Sequence, residues 1–162
     1  MTDVTITPLP AAPLHVFEIW SDPAEVARRF EAATGFALPA TGRSGGGDAL
    51  RLIRFEPTVW LVEGDASALP DTLGEDGALT AIGGGIVRVR LSGSGWRSLL
   101  MEGGVFDADA PGFAPGCSAA TLIDQVNVRL HVESGDACIA YVPLSYAADL
   151  IHFWNAAART LG

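Results

Sequence analysis

Strict alternation between apolar and polar residues is the feature that most limits how this chain can fold. In residues 86–92, three aliphatic side chains share one face of a predicted strand, whereas Arg88 and Arg90 occupy the other face. Residues 126–134 repeat the pattern, with four aliphatic side chains on the inner face. The outward-facing residues predicted there are Asn127, Arg129, His131 and Glu133. Because a period of two with one solvated face is typical of antiparallel strands, the sheet is predicted to be mostly antiparallel.

Two segments have helical periodicity instead. Asp22 can cap the first helix, Pro23 suits its first position, and Glu25 completes a capping box. Gly35 can end this helix in the left-handed region of backbone space. An apolar stripe through residues 145–161 predicts a second helix at the C-terminus.

The predicted elements run in the order strand, helix, hairpin, short helix, strand, helix, hairpin, helix. This order is typical of an α+β fold with mostly antiparallel sheets, helices packed on one face and two small lobes. Residues 1–13 contain three prolines without periodicity and are predicted to form an N-terminal arm. Residues 14–162 are predicted to form a single domain.

The charge of the chain argues against one class of partner. Its 162 residues have a net charge of −9, and all ten basic residues are arginine. An acidic chain without a basic run is repelled by phosphate backbones, so we expect no nucleic acid partner.

No stretch approaches the ~20 apolar residues of a membrane span, and the N-terminus lacks the pattern of a signal peptide. We therefore expect no membrane contact and a cytoplasmic location.

A glycine turn follows the first alternating strand, and its spacing is close to that of a dinucleotide-binding fingerprint. The third glycine of that fingerprint is replaced by Ser98 in the run Gly93-x-Gly95-x-x-Ser98. The preceding strand is half exposed rather than apolar on both faces, and the chain has no lysine for a P-loop. The turn is therefore predicted to be a structural elbow that lets the next residues pack inward.

The other reactive side chains are predicted to be structural. Cys117 and Cys138 belong to no Cys-x-x-Cys pair and are expected to be reduced and buried. Asp107 and Asp109 lie in a connector rich in glycine and proline, where short acidic side chains bind their own backbone. The three histidines are far apart in the sequence and are expected to be surface or internally satisfied residues: His15, His131 and His152. No catalytic, cofactor-binding or metal-binding residue is predicted in this chain.

The tryptophans are predicted to anchor the core, and an exposed one would mark an interface. They are Trp20, Trp60, Trp96 and Trp154. The mean hydropathy of +0.30 is high for a soluble monomer. It indicates that a partner covers some apolar surface.

An ordered set of short motifs over residues 36–160 resembles the gamma subunit of heterotetrameric sarcosine oxidase. The matching residues are Leu38–Pro39, Trp60, Leu91–Gly93, Phe113–Gly116 with Thr121, Pro143, and Ser145–Ala147. The chain departs from the family pattern at residues 56–60, where the family has a Gly-Pro-Asp-Glu-Trp run. It departs again at residues 82–85, where an acidic segment is replaced by isoleucine and three glycines.

The resemblance implies a fold like the folate-binding part of aminomethyltransferases and of related tRNA-modification GTPases. It also implies a non-catalytic accessory subunit whose partners are larger alpha and beta subunits. Those subunits would carry NAD, FAD, FMN and tetrahydrofolate, and this chain would bind none of them alone. The reaction implied is the oxidative demethylation of sarcosine, with the one-carbon unit passed to tetrahydrofolate or released as formaldehyde.

Two alternatives remain open at the level of sequence. The first is a free-standing folate-binding or one-carbon transfer module, for which Asp124 or Asp107 would supply a carboxylate in the pocket. The second is a homo-oligomeric, divergent relative of unknown role. The three hypotheses differ in whether the chain works through a contact surface, a ligand pocket or a contact with its own copies.

Overall fold

The structure is a computed structural model that describes residues 2–161. Its elements follow in the order β1 (Thr5–Pro8), β2 (Leu14–Ile19), α1 (Pro23–Thr34), β3 (Ser44–Gly46), β4 (Leu50–Glu56), β5 (Val59–Gly64), α2 (Leu69–Leu73), β6 (Gly77–Ala81), a 3-10 turn (Gly83–Gly85), β7 (Ile86–Ser92), α3 (Trp96–Met101), β8 (Ser118–Ile123), β9 (Val126–Ser134), β10 (Ala137–Pro143) and α4 (Leu144–Ala158). The chain divides into two compact units, which we call the central unit (residues 12–83) and the terminal unit (residues 2–11 and 84–161).

Each unit contains one five-stranded sheet, and every strand pair described is antiparallel. The sheet of the central unit has the order β3-β4-β5-β2-β6, and that of the terminal unit has the order β1-β7-β10-β9-β8. The predicted α+β class, with antiparallel sheets in two small lobes, is confirmed.

The core of the central unit forms where α1 and α2 pack with their sheet. Phe17, on the strand next to the sheet edge, contacts Phe30 of α1 and Trp60 of β5 in edge-to-face geometry, with ring centroids 5.9 and 5.8 Å apart. All three side chains are buried. Each edge-to-face ring pair contributes about 0.5–1.5 kcal/mol of stability in addition to the effect of burying its apolar area. These contacts therefore fix how α1 lies on the sheet.

Local signals in the sequence set the ends of α1 as predicted. The Asp22 carboxylate accepts a hydrogen bond from the backbone N–H of Glu25 at 3.4 Å, and Pro23 opens the helix. Gly35 ends it with φ of +81° and donates its N–H to the carbonyl of Glu31. The Glu25 carboxylate pairs with Arg28 at 2.7 and 2.9 Å, so the reciprocal half of the predicted capping box is replaced by an ion pair.

The terminal unit buries two tryptophans between α3, α4 and the inner face of its sheet. Trp96 opens α3, and Trp154 lies near the end of α4. Both are fully buried against apolar residues of the central strands, among them Leu91 and Leu130. The final helix was predicted over 145–161, and α4 occupies most of that range.

The N-terminal segment contributes a strand that the sequence did not indicate. Residues 1–13 were predicted to be an N-terminal arm, and within this segment Thr5–Pro8 forms β1 and pairs with β7, from Thr5 opposite Ser92 to Pro8 opposite Val89. Pro8 lies at the end of an edge strand, where its missing N–H costs no ladder bond. The assignment of residues 14–162 to a single domain stays a prediction.

His131 was predicted to face solvent, and this prediction was wrong. The residue does lie on the face of β9 opposite to Leu130 and Val132, but its exposed fraction is only 3%. Its neighbours across the strands are Ser118 on β8 and Ile139 on β10, and both are buried as well. This face of the sheet is therefore covered around His131, although it was expected to be solvated.

The β8–β9 hairpin turns through two residues that both have positive φ. Asp124 (+47°) and Gln125 (+66°) lie between the paired residues Ile123 and Val126. A two-residue hairpin loop with positive φ at both positions is the type I′ turn, which favours glycine at the second position. Gln125 holds a backbone conformation that costs a side-chain-bearing residue roughly 1–2 kcal/mol.

Replacing Gln125 with glycine is expected to stabilise the protein. The free energy of unfolding in urea should rise by about 0.5–1 kcal/mol for Gln125→Gly, because removal of the Cβ relieves the left-handed conformation. Gln125→Ala is the matched control, since it removes the same polar group but keeps a Cβ. It should give no gain, and equal stabilisation by both variants would contradict the strain assigned to this turn.

Candidate functional site

The glycine turn after β7 is occupied by the N-terminal segment of the chain. Gly93 has φ of +103° and donates its N–H to the backbone carbonyl of Asp136. Gly95 donates its N–H to the backbone carbonyl of Asp3 at 2.8 Å. The Ser94 hydroxyl accepts a hydrogen bond from the backbone N–H of Asp3 at 3.2 Å. A Cβ on Gly93 would lie 2.5 Å from the carbonyl oxygen of Asp3. The turn therefore has the geometry of the predicted elbow, with the chain itself where a ligand phosphate would have to lie.

The acidic candidates lie in turns. The Asp107 carboxylate accepts the backbone N–H of Asp109 at 3.0 Å, which is the local turn bond predicted from their sequence context. Asp124 is exposed at the tip of the β8–β9 hairpin. Neither Asp107 nor Asp124 is among the residues that line the two cavities described in the central unit.

The thiols and imidazoles lie on separate elements. Cys117 and Cys138 are buried thiols that form no disulfide, and burial raises the pKa of the Cys138 thiol to about 12. His15 lies on β2, and His152 lies on α4. Within residues 2–161, no three His, Cys, Asp or Glu side chains are grouped so that they could hold a metal ion. Of the helices described, none is long and apolar enough to cross a bilayer.

Trp20 is the exception among the tryptophans. The other three are buried, whereas 66% of Trp20 is exposed at the end of β2. The indole N–H groups of Trp60 and Trp96 bind the backbone carbonyls of Pro39 and Gly135, at 3.1 and 3.2 Å. Three of the four were thus predicted correctly as core residues, and Trp20 meets the criterion set for an interface residue.

Asp76 holds the segment that carries Trp20. Its backbone carbonyl accepts the N–H groups of Trp20 and Ser21, at 2.7 and 3.2 Å. Its carboxylate accepts the Ser21 hydroxyl and the Arg29 guanidinium, each at 2.7 Å. Arg29 also donates to the carbonyls of Thr72 and Leu73 near the end of α2. The hydrogen bond from Arg29, and then that from Ser21, lowers the pKa of Asp76.

A cavity of about 220 Å³ opens in the central unit beside this segment. It is lined by Ile19, Pro23, Ala27, Leu38, Arg54, Pro57, Thr58 and Trp60. Ile19 and Pro23 flank the Trp20 segment in the chain, so the exposed indole is attached near the rim of the cavity. We call Trp20 and the cavity together the Trp20 surface.

Arg54 and Trp60 form one wall of the cavity. They lie directly opposite each other on β4 and β5, and the guanidinium carbon of Arg54 is 4.6 Å from the centroid of the Trp60 ring. Arg54 donates hydrogen bonds to the carbonyls of Glu56, Pro57 and Pro39. Pro39 also accepts the Trp60 indole N–H, so two of the motifs that carry the family resemblance, Leu38–Pro39 and Trp60, meet here.

The terminal unit exposes apolar side chains of its own. Leu144 and Tyr146, in the first turn of α4, are 57% and 52% exposed. Val105 and Leu122 are exposed near the isolated bridge that joins Gly104 to the end of β8. Tyr146 belongs to the Ser-Tyr-Ala motif noted in the sequence. Exposed apolar side chains indicate a contact surface where they form a contiguous patch.

Two solved structures share the fold. A chain of the heterotetrameric sarcosine oxidase from Corynebacterium sp. U-96 is 18% identical in sequence, with a TM-score of 0.86 over 97% of this chain and 84% of that chain. The glycine cleavage system aminomethyltransferase T from Bartonella henselae is also 18% identical, with a TM-score of 0.67 over 94% of this chain.

This chain has the fold that both proteins share. The predicted fold relationship is therefore confirmed, and at 18% identity the similarity concerns the fold alone. The chain spans 45% of the aminomethyltransferase, which is less than half of that protein. The sequence matches no protein-family model and no curated protein.

Replacing the Asp76 carboxylate with a neutral amide is expected to remove a contribution to folding stability that depends on pH. Its pKa is lowered in the folded state, so the carboxylate stabilises the fold above its ordinary pKa near 3.9, and this contribution is lost as the pH falls through the lower, folded-state value. Asp76→Asn should be less stable than the wild type at pH 7, and the difference should shrink below about pH 4. Thermal unfolding measured from about pH 7 down to about pH 2.5, which is below the ordinary carboxyl pKa, tests this.

Glu75→Gln is the control for this prediction. Glu75 is exposed and adjacent in the chain, so its neutralisation changes the net charge equally while leaving the Ser21 and Arg29 bonds in place. A gap between the wild type and Asp76→Asn that stays constant with pH would refute the role given to the Asp76 carboxylate.

Proposed function

We propose that this chain is a non-catalytic accessory subunit of a sarcosine oxidase-like heterotetramer. One observation carries the proposal: the match extends over 97% of this chain and 84% of a chain of that assembly. The match to the aminomethyltransferase covers less than half of that protein. A chain that corresponds to most of one subunit is more simply explained as a subunit than as a transferase acting alone.

The chemistry of such an assembly would be carried out on the larger alpha and beta subunits. NAD, FAD, FMN and tetrahydrofolate would bind there, and the flavins would supply the oxidising power for demethylation of sarcosine to glycine. The one-carbon unit would pass to tetrahydrofolate or leave as formaldehyde. This chain would contribute contact area and hold its partners in place. Its two cysteines form no disulfide, which suits the reducing cytoplasm in which we propose that the complex works.

The Trp20 surface is the proposed main contact with a larger subunit. Tryptophan is enriched among the residues that carry most of the binding energy at interfaces, because it buries a large rigid area with few rotamers to fix. The backbone bonds to Asp76 hold the Trp20 segment before any partner binds. A fixed anchor loses less conformational entropy on association than a mobile one, which favours a stable contact.

Tyr146 and Leu144 form the proposed second contact. Both are exposed in the first turn of α4, where they flank, one on each side, the face of the helix that buries Trp154. A helix that exposes two large apolar side chains beside its buried face is suited to a partner that covers them. The terminal unit would then bind through the start of α4, and the central unit through Trp20.

Titration of the isolated chain with tetrahydrofolate tests the non-catalytic role. If the folate site belongs to a partner subunit, calorimetry of the isolated chain should detect no saturable binding. Saturable binding to the chain alone would favour a free-standing one-carbon module instead. A defined homo-oligomer with no affinity for larger flavin-containing subunits would favour the third hypothesis.

Replacing Trp20 with serine is expected to weaken the complex without unfolding the chain. The indole is mostly exposed, so the melting temperature of the isolated chain should change little. Affinity for the larger subunits, measured by surface plasmon resonance, should fall by at least about 2 kcal/mol, the size typical of a hot-spot residue. Asn127→Ser, at an exposed position of β9, is the control and should bind as the wild type does. Unchanged affinity in the Trp20→Ser chain would remove Trp20 from the interface.

A further inference from the structure

The edge strand β6 of the central unit carries backbone groups that its own sheet does not use. Among the strands of residues 2–161, β6 has a neighbour on one side only, which is β2. At one end of this ladder, Trp20 donates its N–H to the carbonyl of Asp76. At the other end, Ile82 donates its N–H to the carbonyl of Leu14. Antiparallel bonding repeats at every second residue, so the even-numbered residues of β6 are the ones that bond to β2.

The odd-numbered residues of β6 therefore turn their N–H and C=O groups away from the sheet. These residues are Gly77, Leu79 and Ala81. Within residues 2–161, no backbone hydrogen bond from outside the β2–β6 ladder reaches them. The strand has no charged residue and no proline, the side chains by which natural edge strands resist pairing. β6 thus presents a continuous row of backbone donors and acceptors along its open edge.

The other edge strands of the two sheets are less open. β3 has three residues, and β1 has four and ends in Pro8, which has no N–H to offer. The chain itself covers one end of β8, where the N–H of Asp124 binds the carbonyl of Gly103. At the other end of β8, Ser118 is buried. β6 is therefore the edge along which the open groups continue without interruption.

From this arrangement we infer that β6 is a pairing surface for a second copy of this chain. In an antiparallel pair centred on Leu79, the Leu79 residues of the two copies exchange backbone hydrogen bonds. Gly77 of each copy exchanges the same bonds with Ala81 of the other. All the open groups of both strands are then satisfied, and the two five-stranded sheets become one. Because the same surface is used by both copies, the twofold contact closes and assembly stops at a dimer.

The acidic residues beside β6 favour the antiparallel direction. Glu75 and Asp76 directly precede the strand in a chain of net charge −9. In the antiparallel pair, Asp76 of one copy lies opposite Ile82 of the other. The two Asp76 residues are then separated by the distance from residue 76 to residue 82, about 20 Å at about 3.3 Å per residue. This exceeds the Debye length of about 8 Å at physiological ionic strength, so their repulsion is screened. A parallel pair would place these like charges side by side.

The short ladder makes this a weak contact of the isolated chain. Interfaces below about 1,200 Å² are typical of transient association, so the dimer depends on concentration. The inference does not depend on the proposed function, because each test below uses this chain alone. A failure to bind larger subunits would leave it standing, and its own failure would leave the heterotetramer standing.

Sedimentation velocity of the full chain tests the dimer. The chain should be mostly monomeric at about 1 µM and should become increasingly dimeric toward about 300 µM, as a small interface requires. A chain that stays monomeric over this range would overturn the inference. Species that grow beyond a dimer would overturn the closed twofold contact.

Two proline substitutions locate the contact. Ala81→Pro removes an outward N–H of β6, which costs no bond within the sheet. Ala120→Pro is the matched control on β8, because Ala81 and Ala120 are both exposed alanines of edge strands. The bond from Val132 to Cys117 assigns the odd-numbered residues of β8 to β9, so Ala120 also directs its N–H outward.

Ala81→Pro should raise the dissociation constant of the dimer at least about tenfold, because the twofold contact loses two backbone hydrogen bonds. Ala120→Pro should dimerise as the wild type does, and both variants should keep the circular dichroism spectrum of the folded chain. Wild-type dimerisation of Ala81→Pro, or an equal loss in both variants, would place the contact elsewhere.

Disulfide trapping tests the register without proline. In the antiparallel pair, residue 78 of one copy lies opposite residue 80 of the other, with Cα atoms about 4.5 Å apart, which is within disulfide range. Residues of the same number lie diagonally, about 7–8 Å apart, which is too far. A mixture of the Ala78→Cys and Thr80→Cys chains at about 300 µM, oxidised with glutathione disulfide, should therefore give a covalent dimer on a non-reducing gel.

Each single variant alone should give far less of this product, and the wild type, whose two cysteines are buried, serves as the blank. No covalent dimer in the mixture, or as much from either variant alone, would overturn the antiparallel pairing centred on Leu79.

Discussion

Burial of one face of each antiparallel sheet beneath helices is the constraint on which the rest of the structure depends. In the central unit it brings Phe17, Phe30 and Trp60 together, and the position of Trp60 in turn fixes Arg54 and the cavity wall. The same packing places α1 against α2, where Arg29 reaches Asp76 and the Trp20 segment is held. The exposed surface that we propose as an interface is therefore a product of the core beneath it.

Local signals in the sequence were sufficient to predict the elements whose ends or side-chain pattern depend only on neighbouring residues. The cap at Asp22 and the glycine at 35 gave the bounds of α1, and alternation gave β7 and β9. Three short strands, β1, β3 and β6, could not be predicted in this way, since β1 ends in a proline and β3 contains two glycines. They exist because a distant strand offers backbone partners, and that information is not local.

The candidate site was only partly accessible from the sequence, for the same reason. Alternation assigned His131 to the correct face of β9, but it does not tell whether that face is covered. Tryptophan content suggested four core anchors, and only the folded chain separates exposed Trp20 from the other three. The cavity could not be predicted, because Leu38, Arg54 and Trp60 meet through strand pairing and through the shared Pro39 carbonyl.

The central claim is that this chain supplies contact surface to an assembly whose reactive groups lie on other subunits. Native mass spectrometry of the chain co-expressed with the larger subunits of a sarcosine oxidase tests this most directly. The account predicts a heterotetramer that contains one copy of this chain and oxidises sarcosine, and whose assembly is lost when the chain is omitted. A chain that stays separate from those subunits at micromolar concentration, while they assemble and act without it, would contradict the account.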